Sequence, residues 1–186
     1  MKKRLAIVAV SLVAVLGMTS CAKEVTAEEA NKQANSYSQD DASAKYSGGQ
    51  AKAEMTITSD NEKVKAALTL LGIESGKTTT TTISTDIVVI TSADITEFAA
   101  EYDSQYIKYY INGSAVSVKA NYSGTIDEDT YGISGTAAIT AEFTTNGEGL
   151  ATYSYSKISY TNAKMGSTDV GSFSTEAKIS YTYTKK

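Results

Sequence analysis

Few residues of this chain have the type and spacing that chemistry requires. Gly72-Ile73-Glu74-Ser75-Gly76-Lys77-Thr78 comes close to a phosphate loop, in which backbone N–H groups cradle phosphates and a lysine reaches the outermost one. That motif needs four residues between the first glycine and Gly-Lys-Thr, and this chain has three. The residues before it also carry helical instead of strand periodicity, so the segment reads as a surface turn. Asp127, Glu128 and Asp129 could offer oxygen ligands to calcium. The glycine and closing glutamate of a calcium loop do not follow, and a solvated hairpin turn is the better reading. Asp40 and Asp41 are read the same way. Glu97 and Glu101, one helical turn apart with Asp94 close by, could share acid–base work if burial separated their pKa values. They alternate with an apolar stripe and read as a solvated helix face.

The aromatic balance is more suggestive. Thirteen Tyr stand against three Phe and no Trp. A tyrosine ring is apolar and its hydroxyl directs, so a Tyr-lined β cavity could take a sugar or a small amphipathic ligand. The candidates for such a surface are Tyr102, Tyr106, Tyr109, Tyr153, Tyr155 and Tyr181. The plainer use of these rings, and the preferred one, is to fill half-buried strand positions, for which Tyr has high propensity.

The missing residues exclude more than the present ones suggest. There is no His, Trp or Pro, the only Arg is Arg4, and the only Cys is Cys21. Beyond its first residues the chain therefore lacks the usual general base at neutral pH and the bidentate guanidinium that grips carboxylate or phosphate. Zinc, copper and non-haem iron sites draw on His or Cys. No catalytic residue, metal or cofactor is assigned, and the expectation is a non-enzymatic protein. A hydrolase built on carboxylates is the remote alternative.

The first residues say where the chain goes. Lys2, Lys3 and Arg4 precede the apolar run Leu5–Gly17, and Met18-Thr19-Ser20-Cys21 closes it with small residues, the layout of a secretory signal peptide. The run is about thirteen residues, short of the roughly twenty that cross a bilayer. This leader resembles that of a bacterial lipoprotein, in which a lipobox of apolar, small, small, Cys is cut just before the cysteine. Met18 stands where Leu is usual. The resemblance covers residues 1–21 only. It implies a signal peptide over 1–20 and acyl chains on Cys21, which would anchor the protein in a membrane of the cell envelope. Ala22 instead of Asp follows the cysteine, and by the same resemblance this implies the outer membrane. An ordinary leader cut after Ala22 also fits, because Ser20-Cys21-Ala22 is a small-x-small site. That route would release a soluble protein.

Removing Lys2, Lys3 and Arg4 lowers the basic residues from 17 to 14 against 21 acidic, a net charge of −7. An acidic exported domain is a poor partner for nucleic acid. The partners left are the membrane, an envelope protein or an amphipathic ligand.

The elements that would position any site follow from periodicity. Residues 21–50, rich in Ala, Gln, Asn, Ser, Glu and Lys, read as the lipidated cysteine and a flexible tether, with at most a marginal helix behind the capping-box pair Thr26 and Glu29. Residues 51–186 read as one mainly antiparallel β domain. Ala53, Met55 and Ile57 alternate as a strand with one buried face. A helix over 60–71 and another over 93–103 carry apolar residues at helical spacing, the second suited to cover a sheet. The β-branched tract 77–90 reads as a strand whose apolar end is buried on both faces. From Tyr106 the pattern is a meander, with a type I′ hairpin signal at Asn112-Gly113 and a second hairpin signal at Asn146-Gly147. A change of phase between Tyr155 and Ile158 suggests a bulge. Such long strands imply a curved sheet or an up-and-down β-barrel with one or two short helices.

Overall fold

The computed structural model describes residues 22–127 and 132–186. Cys21 and the leader, together with Glu128 and Asp129, lie outside the described residues. Eight strands form one antiparallel sheet: β1 Lys23–Val25, β2 Tyr46–Ser59, β3 Thr78–Thr85, β4 Ile107–Asn112, β5 Ala115–Ile126, β6 Ile133–Thr145, β7 Ala151–Met165 and β8 Thr168–Lys185. Their order is β1-β4-β5-β6-β7-β8-β2-β3, so the meander is flanked by the N-terminal strands and the sheet ends in two edges, β1 and β3. It is an open sheet and does not close into a barrel.

Among the described residues four helices accompany it instead of one or two: α1 Ala27–Ala34, α2 Gln39–Lys45, α3 Glu62–Leu70 and α4 Ser92–Tyr102. Capping fixes their starts. Thr26 accepts from the Glu29 N–H while the Glu29 carboxylate accepts from the Thr26 N–H, and Thr91 and Asp94 do the same for α4. Asn61 Oδ1 caps α3 by accepting from Lys63 N at 2.9 Å.

Residues 22–50, expected to be a flexible tether, are part of the fold. Lys23, Glu24 and Val25 pair with Ile111, Tyr110 and Tyr109. Ala30 and Ala34 of α1 are 0% and 2% exposed, packed with Ile95 of α4 and with Val116 and Val118 of β5. The helix earns its place by letting small alanines approach the sheet closely, so large apolar residues are not needed. α4 does what its stripe implied: Ile95 is buried, and the Phe98 ring meets Phe143 of β6 edge-on at 5.2 Å. Fully burying a side chain of this size contributes about 1.5–3 kcal/mol. A second cluster around Tyr160, Ala137 and Ala163 fills the other end of the same face.

Three local readings are corrected. β3 stops at Thr85 and is an exposed edge, not a strand buried on both faces. The apolar residues beyond it leave the sheet, and Val89 makes only an isolated bridge to Leu150. Pairing through Tyr155 and Ile158 is continuous, and the register shift falls later, between Tyr160 and Ala163, where Asn162 has a φ of 52°. Asn112 pairs with Ala115, so the turn residues are Gly113 and Ser114. Of these two only Gly113 has a positive φ, 61°, the pattern of a type II′ turn and not the type I′ expected.

Candidate functional site

The pleat sends alternate residues of every strand to opposite faces, and the register then decides which side chains share a surface. One row across the sheet runs Tyr109–Val118–Phe143–Ser154–Ile179–Ala53–Thr81, and its neighbour runs Ile107–Ala120–Ala141–Ser156–Ala177–Met55–Thr79. Both belong to the helix face. Their first halves, on β4 to β6, lie under α1 and α4. Their second halves, on β7, β8, β2 and β3, contribute nothing to that core cluster.

Helix number explains the asymmetry. A helix with its side chains is about 10–12 Å across, so the two that pack on this face, α1 and α4, cover roughly 20–24 Å, whereas eight strands about 4.8 Å apart span on the order of 34 Å. The cover ends where the Tyr102 hydroxyl meets Ser156 of β7; burial first, then the Glu101 charge, pushes the Tyr102 hydroxyl's pKa up. Beyond that line Met55 is 46% and Ile83 56% exposed.

The uncovered half is nevertheless composed like a core. Along 51–57 and 175–181 the charged residues Lys52, Glu54, Glu176 and Lys178 all point to the opposite face, and so does Lys157 of β7. The helix face keeps Ala53, Met55, Ile57 and Ile179, interspersed with hydroxyls of Ser154, Ser156 and Thr175. At the far end of β2 stands α3, none of whose residues is buried, followed by Leu71; Leu70 and Leu71 are 88% and 75% exposed. The result is a charge-free, mixed apolar and hydroxyl surface bordered by Tyr102 and Tyr181.

The opposite face is an ordinary solvated one. Lys119–Glu142 at 3.1 Å, Lys157–Glu176 at 3.6 Å and Lys52–Glu54 at 2.7 Å pair its charges. Tyr153 and Tyr155 lie on this side, their rings parallel within 7° and 6.3 Å apart. Burial first, then the nearby acidic charges, pushes both hydroxyls' pKa values up.

The six candidate tyrosines are therefore not brought together. Tyr109 is buried under α1 and α4, Tyr106 packs edge-on against Tyr122 at 5.5 Å, Tyr153 and Tyr155 face away, and only Tyr102 and Tyr181 border the uncovered half. A hollow of ≈ 270 Å³ lies elsewhere, at the end of the sheet, among Tyr37, Asp41, Lys45 and Glu148. Met55, Ile83 and Ile179 were not singled out from sequence, because alternation was taken to mean burial. The available signal was the small number of helical stripes against the number of strands.

The remaining chemical candidates stay apart. Gly72–Thr78 is the exposed link between α3 and β3, where Lys77 pairs with Glu74 at 2.9 Å. Asp94 is spent on its cap, and Glu97 and Glu101 are exposed on α4. Asp40 and Asp41 occupy the first turn of α2. Compared with known proteins, the chain matches no family model, no curated protein and no solved structure.

Proposed function

We propose that the chain is a non-enzymatic lipoprotein of the cell envelope, anchored in the outer membrane through Cys21, and that it acts as a binding module for an amphipathic molecule. The observation that carries this reading is the helix face, covered by helices over half its width and charge-free along 51–57 and 175–181 of the rest, where Met55 and, on β3, Ile83 are exposed. Exposed apolar surface of this kind marks interaction sites on soluble domains. Its hydroxyls suit a ligand with polar as well as apolar parts.

The test is native mass spectrometry of the protein purified from its host without detergent, alongside uptake of a fluorescent fatty acid. An extra mass removed by organic extraction, and uptake lost in Met55→Lys, are expected. A bare polypeptide that takes up no probe refutes the reading. A structural or interaction role is the second reading, and it draws on β3, an eight-residue edge left unpaired on its outer side.

A further inference from the structure

We infer that the sheet is held directly against the anchoring membrane by one of its ends, with no spacer between the lipid and the fold. This rests on the proposed acylation of Cys21. Only Ala22 separates that cysteine from Lys23, the first residue of β1. A polypeptide reaches at most about 3.6 Å per residue, so Lys23 stands within about 7 Å of the acylated residue.

The register fixes which end is concerned. Lys23 pairs with Ile111, and Ala22 shares a hollow with Asn112 and Ala115, so the chain enters beside the β4–β5 turn. The β6–β7 loop lies at the same end, since Gly147 faces Ser114 and the Tyr37 hydroxyl donates to the Ser114 carbonyl. The C-terminus is there too: Lys186 N donates to the Lys45 carbonyl at 2.9 Å. The surface against the headgroups is thus built from the turns at 113–114 and 146–150.

α3 and the β7–β8 turn lie at the other end. β2 alone is 14 residues long, about 45 Å as an extended strand, so α3 with Leu70 and Leu71 stands at the end remote from the bilayer. On the helix face the Ile83–Ala51–Tyr181 row lies nearer to it than the Thr79–Met55–Ala177 row.

The test uses the acylated full-length protein in phosphatidylcholine vesicles. Its only cysteine is blocked by lipid, so Ser114→Cys and Ser167→Cys introduce single labelling sites at the near and far ends. Quenching of an attached fluorophore by headgroup-borne nitroxides is compared with quenching by aqueous iodide. Severalfold greater headgroup quenching at 114 than at 167 is expected. Ten Gly/Ser residues inserted after Ala22 should erase that difference while the protein still floats with vesicles. Equal, iodide-dominated quenching at both sites in protein that floats overturns the inference and leaves acylation standing. Protein that carries no acyl mass and does not float overturns both.

Discussion

Gly149→Ala probes the contact that ties the N-terminal segment to the sheet. Gly149 sits in the β6–β7 loop at a φ of +80°, and a Cβ there would intrude on the Tyr37 ring. That ring closes the connection between α1 and α2, and its hydroxyl donates to Ser114 O and lies 3.3 Å from Thr145 Oγ1. Two costs follow. The left-handed backbone costs an alanine about 1–2 kcal/mol, and displacing a packed ring costs about 1–3 kcal/mol more. Their sum of about 2–5 kcal/mol lowers the thermal midpoint of a domain this size by about 4–20 °C. Urea unfolding followed by far-UV circular dichroism measures the cost directly. In a Tyr37→Ala background the steric part disappears, and Gly149→Ala should cost only the backbone part, about 1–2 kcal/mol. The same cost in both backgrounds would refute the packing of Tyr37 on Gly149, and with it the tight joining of residues 22–50 to the sheet.

The other expectations concern the core, the caps, the bare surface and acid. Ile95→Ala, at a site 1% exposed between helix and sheet, should cost about 2–5 kcal/mol in the same unfolding assay. Thr26→Ala removes the α1 cap and should cost about 0.5–2 kcal/mol, with faster amide exchange at Ala30; unchanged exchange there would argue against a packed α1. Met55→Lys should leave stability within about 0.5 kcal/mol, so that lost uptake of the fatty acid reflects the surface and not the fold. The Glu148 carboxyl is held below its ordinary value by hydrogen bonds from Lys45 first and Tyr46 second. A depressed folded pKa means that the unfolded chain binds the proton more readily, so this contribution is full above the ordinary carboxylate value and lost as pH falls through the lower folded one. It is small, because the group is exposed. The stability difference between the native chain and Glu148→Gln should narrow as pH falls from about 6 to about 3, and a constant difference would contradict the assignment.

Where a residue pattern and its cover coincide, the fold is legible in the sequence. Val116, Val118 and Ala120 alternate because one side of β5 meets helices, and Thr91, Asp94, Ile95 and Phe98 carry the whole of α4 in their spacing. The packing of α1 escaped, though its capping box did not, because Ala30 and Ala34 bury little area each, so its fit to the sheet depends on smallness and not on hydrophobicity. The run Ile87–Ile90 escaped for the opposite reason: β-branched residues favour extended backbone, but only tertiary contact decides whether that backbone joins a ladder. The tyrosines show a third limit. Their side of the sheet depends on parity: Tyr153 and Tyr155 fall on one face and Tyr160 on the other, with continuous pairing to β8 between them. The candidate site was hardest to see, since alternation shows that a face is apolar but not whether anything lies over it.

The two edges of the sheet are not equally guarded. β1 is three residues long and carries Lys23 and Glu24, the short charged kind of edge that resists further pairing. Thr78–Thr85 has no charge, no proline and no register shift, and its backbone is free on the outer side. Its hydroxyl-rich, nearly uniform sequence tolerates many registers, so little selects against the wrong one. Under the anchoring proposed above, copies would share one membrane and one orientation and meet by lateral diffusion. Crowding in that plane, more than concentration in bulk, would then govern whether neighbouring sheets fuse edge to edge.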